Sequence, residues 1–326
     1  LSMANVLAGD VGGTATRLGV FELRAPRPAL VTMRTYGTRD FDSITAMTLA
    51  FLQHAAVSPS TLSAACFGAA GPVIAGVATL TNTPVRVDAS AIATAIGLPR
   101  MTLLNDLEAL AHAVPVLSSD ELSVLQDGHA DPSGPTAIIA AGTGLGQAAI
   151  YRIGDRVLVA PSEAGRADFA ARTERDITVL RVLTHECGRA AVEQVVSGPG
   201  LVNIHRALHP DGCRAGVDMT AADAPAAIAE SASARRCLGC VDAMELFVDA
   251  YGAEAGNLAL RTVATGGVYV GGGIAPKIVT WLTDGRFLSA FRAKMPFTTL
   301  LASVPVHVIL NEHAGLLGAA QFCSTT

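Results

Sequence analysis

The sequence predicts an α/β protein of two domains on a duplicated core, because two glycine-rich hairpins, one near the start of each half, interrupt apolar strands in the same way and a third glycine turn follows another apolar strand. In the first, Val6-Leu7-Ala8 enters a bend containing Gly9, Asp10, Gly12, Gly13 and Thr14, and Leu18 to Phe21 leaves it, the pattern of a β-hairpin. In the second, Ala137 to Ala141 enters Gly142-Thr143-Gly144 and an apolar run leaves toward Ile150. In the third, Val268-Tyr269-Val270 stops at Gly271-Gly272-Gly273, and Pro276 is well placed for the first turn of a helix. Glycines let backbone N–H groups approach a phosphate closely, Thr14 adds a hydroxyl, and Asp10 is the sort of oxygen ligand that holds Mg²⁺ directly or through water. Two such hairpins, one near the start of each half, suggest a nucleotide between the halves. Taken alone, each is equally an ordinary hairpin turn.

The remaining elements follow in order. Ala29 to Tyr36 reads as a third strand, and Ser43 to His54 as a helix capped by Ser43 with Ile44, Met47, Leu49, Phe51 and Leu52 as its apolar residues. Ala64 to Pro72 reads as a buried strand running into a Gly-Pro turn, Val73 to Thr81 as a hairpin, and Asp88 to Ile96 as a helix capped by Asp88. Met101 to Leu104 is a short strand ending at Asn105-Asp106, and the helix Leu107 to Ala113 starts there and closes at Pro115. Such a strand-to-helix crevice is where open α/β sheets bind ligands. Asn105-Asp106 is also a common helix-capping pair.

The polar stretch Leu117 to Pro135 reads as the passage into the second domain. Beyond the second hairpin, Leu158 to Asp168 reads as a loop carrying Glu163, Arg166 and Asp168. Helices are expected over Asp176 to Cys187, Gly200 to Leu208, Ala222 to Arg235 and Val241 to Val263, then a strand over Pro305 to Leu310 and a helix over Ala314 to Phe322. The expected domains are residues 1–116 joined by 306–326, and residues 117–305.

Composition narrows the functional classes. Half of the 326 residues are apolar, the formal net charge is −5, and the only lysines are Lys277 and Lys294, which argues against nucleic-acid binding. No apolar run is long enough to span a membrane, and no signal segment is visible. Leu1-Ser2 ahead of Met3 reads as an expression remnant. The six cysteines follow no framework spacing; Cys237-Leu238-Gly239-Cys240 reads as two helical cysteines, and a reduced cytoplasmic protein is expected. The eight histidines read as surface or core residues. No P-loop and no dinucleotide glycine pattern occurs.

Six motifs in order resemble the bacterial glucokinase family: Gly9 to Thr14, Leu104 to Ala109, Ala141 to Gly146, Ser162 to Ala170, Ser197 to Asn203 and Gly315 to Ala320. The resemblance implies the actin/hexokinase/heat-shock-chaperone fold, two ribonuclease-H-like α/β domains with an interdomain nucleotide and sugar cleft, the C-terminal helix belonging to the first. It implies that Asn105 and Asp106 bind sugar hydroxyls, that Asp106 is the catalytic base, and that Glu163 and Glu193 hold other hydroxyls. Phosphoryl transfer needs positioning, charge neutralisation and one carboxylate on the acceptor hydroxyl, which fits these roles. ATP with Mg²⁺ at Asp10 is the expected donor: Gly9, Gly12, Gly13, Thr14, Gly142, Thr143 and Gly144 would face the phosphates, and Gly271 to Gly273 the adenosine.

Departures from the family pattern bear on the sugar. The family loop usually reads Glu-Gly-Gly-His, whereas here it is Glu163-Ala164-Gly165-Arg166. Arg166 is a permanently charged donor fork, so it would pair with Glu163 or Asp168, reach a sugar hydroxyl, or narrow the pocket. A tryptophan often found after Thr81-Asn82-Thr83-Pro84 is replaced by Val85-Arg86, and the zinc motif of the related repressor/kinase group is missing. The expectation is an ATP-dependent glucose 6-kinase of the cytoplasm, with a homodimer compatible with it. The alternatives are a kinase for fructose, mannose or an amino sugar, and a sugar- or nucleotide-sensing regulator without turnover.

Overall fold

The computed structural model describes residues 4–80, 83–154 and 156–325, so Leu1-Ser2 and Thr81-Asn82 lie outside the described residues. The chain divides into two compact units, Leu1–Ser118 with His313–Thr326, and Ser119–Glu312.

In the first unit the strands are β1 (Asn5–Val11), β2 (Ala15–Glu22), β3 (Ala29–Gly37), β4 (Leu62–Ala69), β5 (Val73–Ile74), β6 (Val77–Thr79), β7 (Arg86–Asp88) and β8 (Thr102–Asn105). The main sheet runs β3-β2-β1-β4-β8, antiparallel through β3, β2 and β1 and parallel from β1 to β4 to β8. Central β1 is apolar on both faces, as a covered strand must be. A small antiparallel sheet, β5-β6-β7, follows the Gly71-Pro72 turn. The helix Ile44–His54 starts where expected because the Ser43 side chain accepts from the Ala46 N–H, and it buries Ile44, Met47, Phe51 and Leu52. Leu49 is on its solvent side instead. Asp88 caps the helix Ala89–Ala95 through the N–H groups of Ser90 and Ala91.

The C-terminal helix Ala314–Thr325 packs on the helix Asp106–Ala113. Gly318 permits that packing, since a Cβ there would sit inside the Ala109 carbonyl. The position of the helix that begins with Asp106 therefore depends on a segment from the far end of the chain.

In the second unit the strands are β9 (Leu122–Gln126), β10 (Thr136–Ala141), β11 (Leu145–Ile153), β12 (Arg156–Ser162), β13 (Gly267–Gly271) and β14 (Val306–Ile309), in the order β12-β11-β10-β13-β14-β9. Its first five positions repeat the order and strand senses of the first sheet: three antiparallel strands, then two parallel ones. The 25-residue helix Leu238–Thr262 runs through the core of this unit, with Phe247, Tyr251 and Phe287 among the buried side chains around it.

Four expectations are corrected. The first part of Leu158 to Asp168, through Ser162, is strand rather than loop, because β12 is an edge strand that tolerates Pro161. The polar passage contains β9, which closes the other edge; buried Gln126 at its end donates to the Leu301 and Val304 carbonyls and accepts from Arg292. Pro276 lies in a 3₁₀ turn, Ala275–Ile278, followed by only the four-residue helix Val279–Leu282. The strand at Val306–Ile309 runs in the second unit's sheet, and only the helix after it lies in the first unit. Among the described residues, no helix is long and apolar enough to cross a membrane.

Candidate active site

In the first unit, the β1–β2 turn is closed by its own backbone: the Gly12 N–H donates to the Ala15 carbonyl at 3.0 Å. Thr38, just beyond β3, braces it further, donating from Oγ1 to the Gly12 carbonyl at 2.6 Å and from its N–H to the Thr14 carbonyl at 2.9 Å. Gly9 serves packing, with the Phe67 ring against the space a Cβ would occupy. Asp10 lies opposite Arg17 in the hairpin register, and the Arg17 Nη1 stands 3.2 Å from its Oδ2. Burial raises the Asp10 pKa, against the pull of Arg17 and His313. One carboxylate partly engaged by a guanidinium fits a cation that keeps most of its water, which is how Mg²⁺ arrives on ATP.

At the carboxyl end of parallel strand β8, Asn105 and Asp106 divide their work. The Asn105 Oδ1 accepts from the Leu107 N–H at 2.9 Å and its Nδ2 donates to the Gly71 carbonyl at 3.2 Å, so Asn105 caps the helix and ties it to the turn after β4. Asp106 is the first helical residue, and its Oδ1 also accepts from the Leu107 N–H, at 2.9 Å.

In the second unit the β10–β11 turn repeats the closure, with the Gly142 N–H donating to the Gly144 carbonyl at 2.8 Å. The Gly142 carbonyl accepts from the Gly198 N–H at 2.8 Å, which joins the turn to the helix Gly198–Leu208. Ser197 caps that helix, its Oγ accepting from the Gly200 N–H at 3.0 Å. Buried Tyr251 links the second and third glycine turns: its hydroxyl accepts from the Ala141 N–H at 3.2 Å and is shared between the Ile139 and Gly271 carbonyls, each at 3.3 Å. Burial pushes the Tyr251 pKa up, so the phenol stays a donor. Gly272, at φ +85°, completes the approach, because a Cβ there would strike the Ala141 backbone.

Glu193 and Arg166 meet beside the same turn. The Glu193 Oε2 accepts from the Leu145 N–H at 3.0 Å, and its Oε1 pairs with the Arg166 Nη2 at 2.9 Å. The expected pairing of Arg166 with Glu163 or Asp168 is thus corrected: Asp168 is taken by Arg189 at 2.9 Å, and Glu163 meets Arg166 only through its carbonyl, which accepts the Arg166 N–H at 2.9 Å. The 3₁₀ turn Ala164–Arg166 sets this geometry, and Gly165 is needed in it because a Cβ would fall on the Leu145 carbonyl.

Thr38 and Tyr251 were not foreseen from the sequence. Each acts on a turn far away along the chain, 26 and 110 residues off, and no local pattern marks them.

A family model described as "Glucokinase" matches residues 7–326. The chain belongs to the glucokinase family. It is an ATP-dependent hexose kinase, a phosphotransferase. A glucokinase of the cyanobacterium Nostoc is 39% identical over 98% of each chain. Among solved structures, a glucokinase from an Antarctic psychrotroph superimposes with a TM-score of 0.86 at 30% identity, covering 100% of both chains. A glucokinase of the ROK family from Streptomyces griseus, solved with glucose and AMPPNP, shares the fold at a TM-score of 0.62 and 22% identity, covering 98% of this chain and 99% of that one. The actin-like ATPase fold of these kinases is the architecture expected from the sequence.

Proposed function

We propose that this family member transfers the γ-phosphoryl group of ATP, as its Mg²⁺ complex, to the 6-hydroxyl of glucose, with Asp106 as the general base. The O6–phosphorus bond forms as the bond from the γ-phosphorus to the β,γ-bridging oxygen breaks; ADP leaves and the hydroxyl proton passes to Asp106. The observation that carries this reading is the division of labour at β8, where Asn105 caps the helix and Asp106 starts it at the carboxyl end of a parallel strand. Glucose and AMPPNP in the Streptomyces griseus relative agree with the substrates.

Asn105, Glu163 and Glu193 orient the sugar ring. Arg166 acts on it through Glu193, whose carboxylate it holds against the second glycine turn. Since Gly12 and Gly142 spend their N–H groups closing their own turns, Gly13, Thr14, Thr143 and Gly144 are the residues left to meet the phosphates. Asp10 holds Mg²⁺ through water, and Gly271 to Gly273 face the adenosine. An ATP donor and six free cysteines fit a cytoplasmic setting.

The test is product analysis with a panel of hexoses. Glucose 6-phosphate, identified by phosphorus–proton NMR correlation, is the expected product, with glucose giving the highest kcat/KM. A higher kcat/KM for another hexose would reassign the sugar. Calorimetric glucose binding with no transfer to any hexose would make the chain a sensor and overturn the reading.

A further inference from the structure

In the second unit, away from the residues discussed so far, four soft or borderline donors converge. His205, Cys213, Cys237 and Cys240 each place one ligand atom within 4.8 Å of all the others. The Cys213 sulfur is 3.6 Å from that of Cys237 and 3.5 Å from that of Cys240. His205, Cys237 and Cys240 are buried, and Cys213 is half-buried.

Separate segments supply these residues. His205 lies in the last turns of the helix Gly198–Leu208, and Cys213 in the irregular stretch 209–223. Cys237 is the N-cap residue of the helix Leu238–Thr262, and Cys240 is in its first turn. Reading Cys237-x-x-Cys240 as two plain helical cysteines is therefore corrected. The partners come from 27 residues upstream, the Cys213–Cys240 separation, and beyond. The overlooked sequence signal is the His205-x-x-x-His209 spacing just ahead of Cys213.

An independent observation also points to a ligand. The His205 ring is 0% exposed, and neither ring nitrogen has a hydrogen-bond partner. Buried polar atoms are nearly always satisfied, so an imidazole orphaned beside three thiols lacks an electrophile.

We infer that His205, Cys213, Cys237 and Cys240 form a tetrahedral structural Zn²⁺ site that staples the 209–223 stretch to the ends of two helices. Zinc takes thiolate sulfur at about 2.3 Å in a tetrahedron, which puts neighbouring sulfurs roughly 3.8 Å apart. The observed separations of 3.6 and 3.5 Å lie close to that. A disulfide would need one pair at about 2.0 Å and would still leave the imidazole without a partner. The donor set is one that selects zinc over the hard cation carried by ATP. On binding, the three thiols release their protons to solvent and no electron is transferred.

A staple here answers a physical need. The 209–223 stretch is long for a connection without regular structure, and such segments need an anchor of their own. The helix Gly198–Leu208 also receives the Gly142 carbonyl at its start, so its placement bears on the second glycine turn.

The test uses the full-length protein, purified under reducing conditions without immobilised metal or chelator. Elemental mass spectrometry should find about one zinc per chain. Cys213→Ser and Cys237→Ser should each lose the zinc, while Cys187→Ser, at an exposed cysteine, keeps it. Wild-type protein stripped with a chelator and titrated with Co²⁺ should develop thiolate-to-cobalt charge transfer and tetrahedral ligand-field bands, and should become more open to proteolysis within 209–223 until metal returns. The cobalt titration needs no variant, so it decides the matter even if a serine variant fails to fold. Wild-type protein with no zinc and no cobalt spectrum, zinc retained by Cys213→Ser, or an intact mass showing a disulfide within the trio would each overturn the inference.

Discussion

Asp10 sets two demands against each other at a single side chain. Its pKa is raised by burial despite Arg17 and His313, so the folded protein holds the proton more tightly than the unfolded chain. Ionised Asp10 therefore costs stability, and that cost sets in as pH rises through the carboxylate range. Asp10→Asn should melt no lower than wild type at neutral pH, and any gain should vanish below the carboxylate range, while turnover with MgATP collapses. Paired melting curves and rates across pH check this; an Asp10→Asn protein that melts much lower at neutral pH contradicts it. Arg166 poses a smaller question. Its pair with Glu193 is half-exposed, and such pairs contribute about 0.2–1 kcal/mol, so Arg166→Ala should barely move the melting temperature. Its effect should be a KM for glucose raised several-fold at nearly constant kcat, because Glu193, proposed to orient the sugar, loses its brace. The Arg166 position was visible in the sequence as a departure from the family loop, but its partner was not, because Glu193 meets it only after the chain has folded through intervening segments.

At the scale of elements, the turns are held by parts that do not resemble turn motifs. Tyr251→Phe removes the hydroxyl that bonds both the second and third glycine turns and leaves the buried Ala141 N–H without that acceptor. A loss of about 1–3 kcal/mol is expected, with a raised KM for ATP, measured by denaturant unfolding and initial rates. At Gly318, an alanine must displace one of two packed helices, costing about 1–3 kcal/mol or more. Because the displaced partner is the helix begun by Asp106, kcat should fall as well, and an unaltered kcat would break that link. The hairpins and capped helices were legible because each is specified locally: Ser43 and Asp88 cap the helices predicted for them. The edges of the second sheet were not. β9 is short and lies within a polar, turn-rich stretch, and β12 carries a proline, so both look like loops until a neighbouring strand supplies their hydrogen bonds.

Across the whole molecule, the same five-strand order occurs in both units, and the first two glycine turns predicted that repetition because each marks the first hairpin of its sheet. Asp106, the proposed base, lies in the first unit, and Glu163 and Glu193, proposed for sugar recognition, lie in the second. What the chain order conceals is what each unit assembles from distant segments: the helix Ala314–Thr325 on the helix Asp106–Ala113, and the four metal-type donors near the start of Leu238–Thr262. The central claim is that Asp106 removes the proton from the sugar hydroxyl during transfer. It is tested most directly by pre-steady-state turnover of Asp106→Asn with glucose, with ATP affinity measured on the same protein. The expected result is a kcat lower by about 10²–10⁴ with ATP affinity and melting temperature nearly unchanged. Turnover within a few-fold of wild type would contradict it, because the hydroxyl would then be losing its proton to some other group.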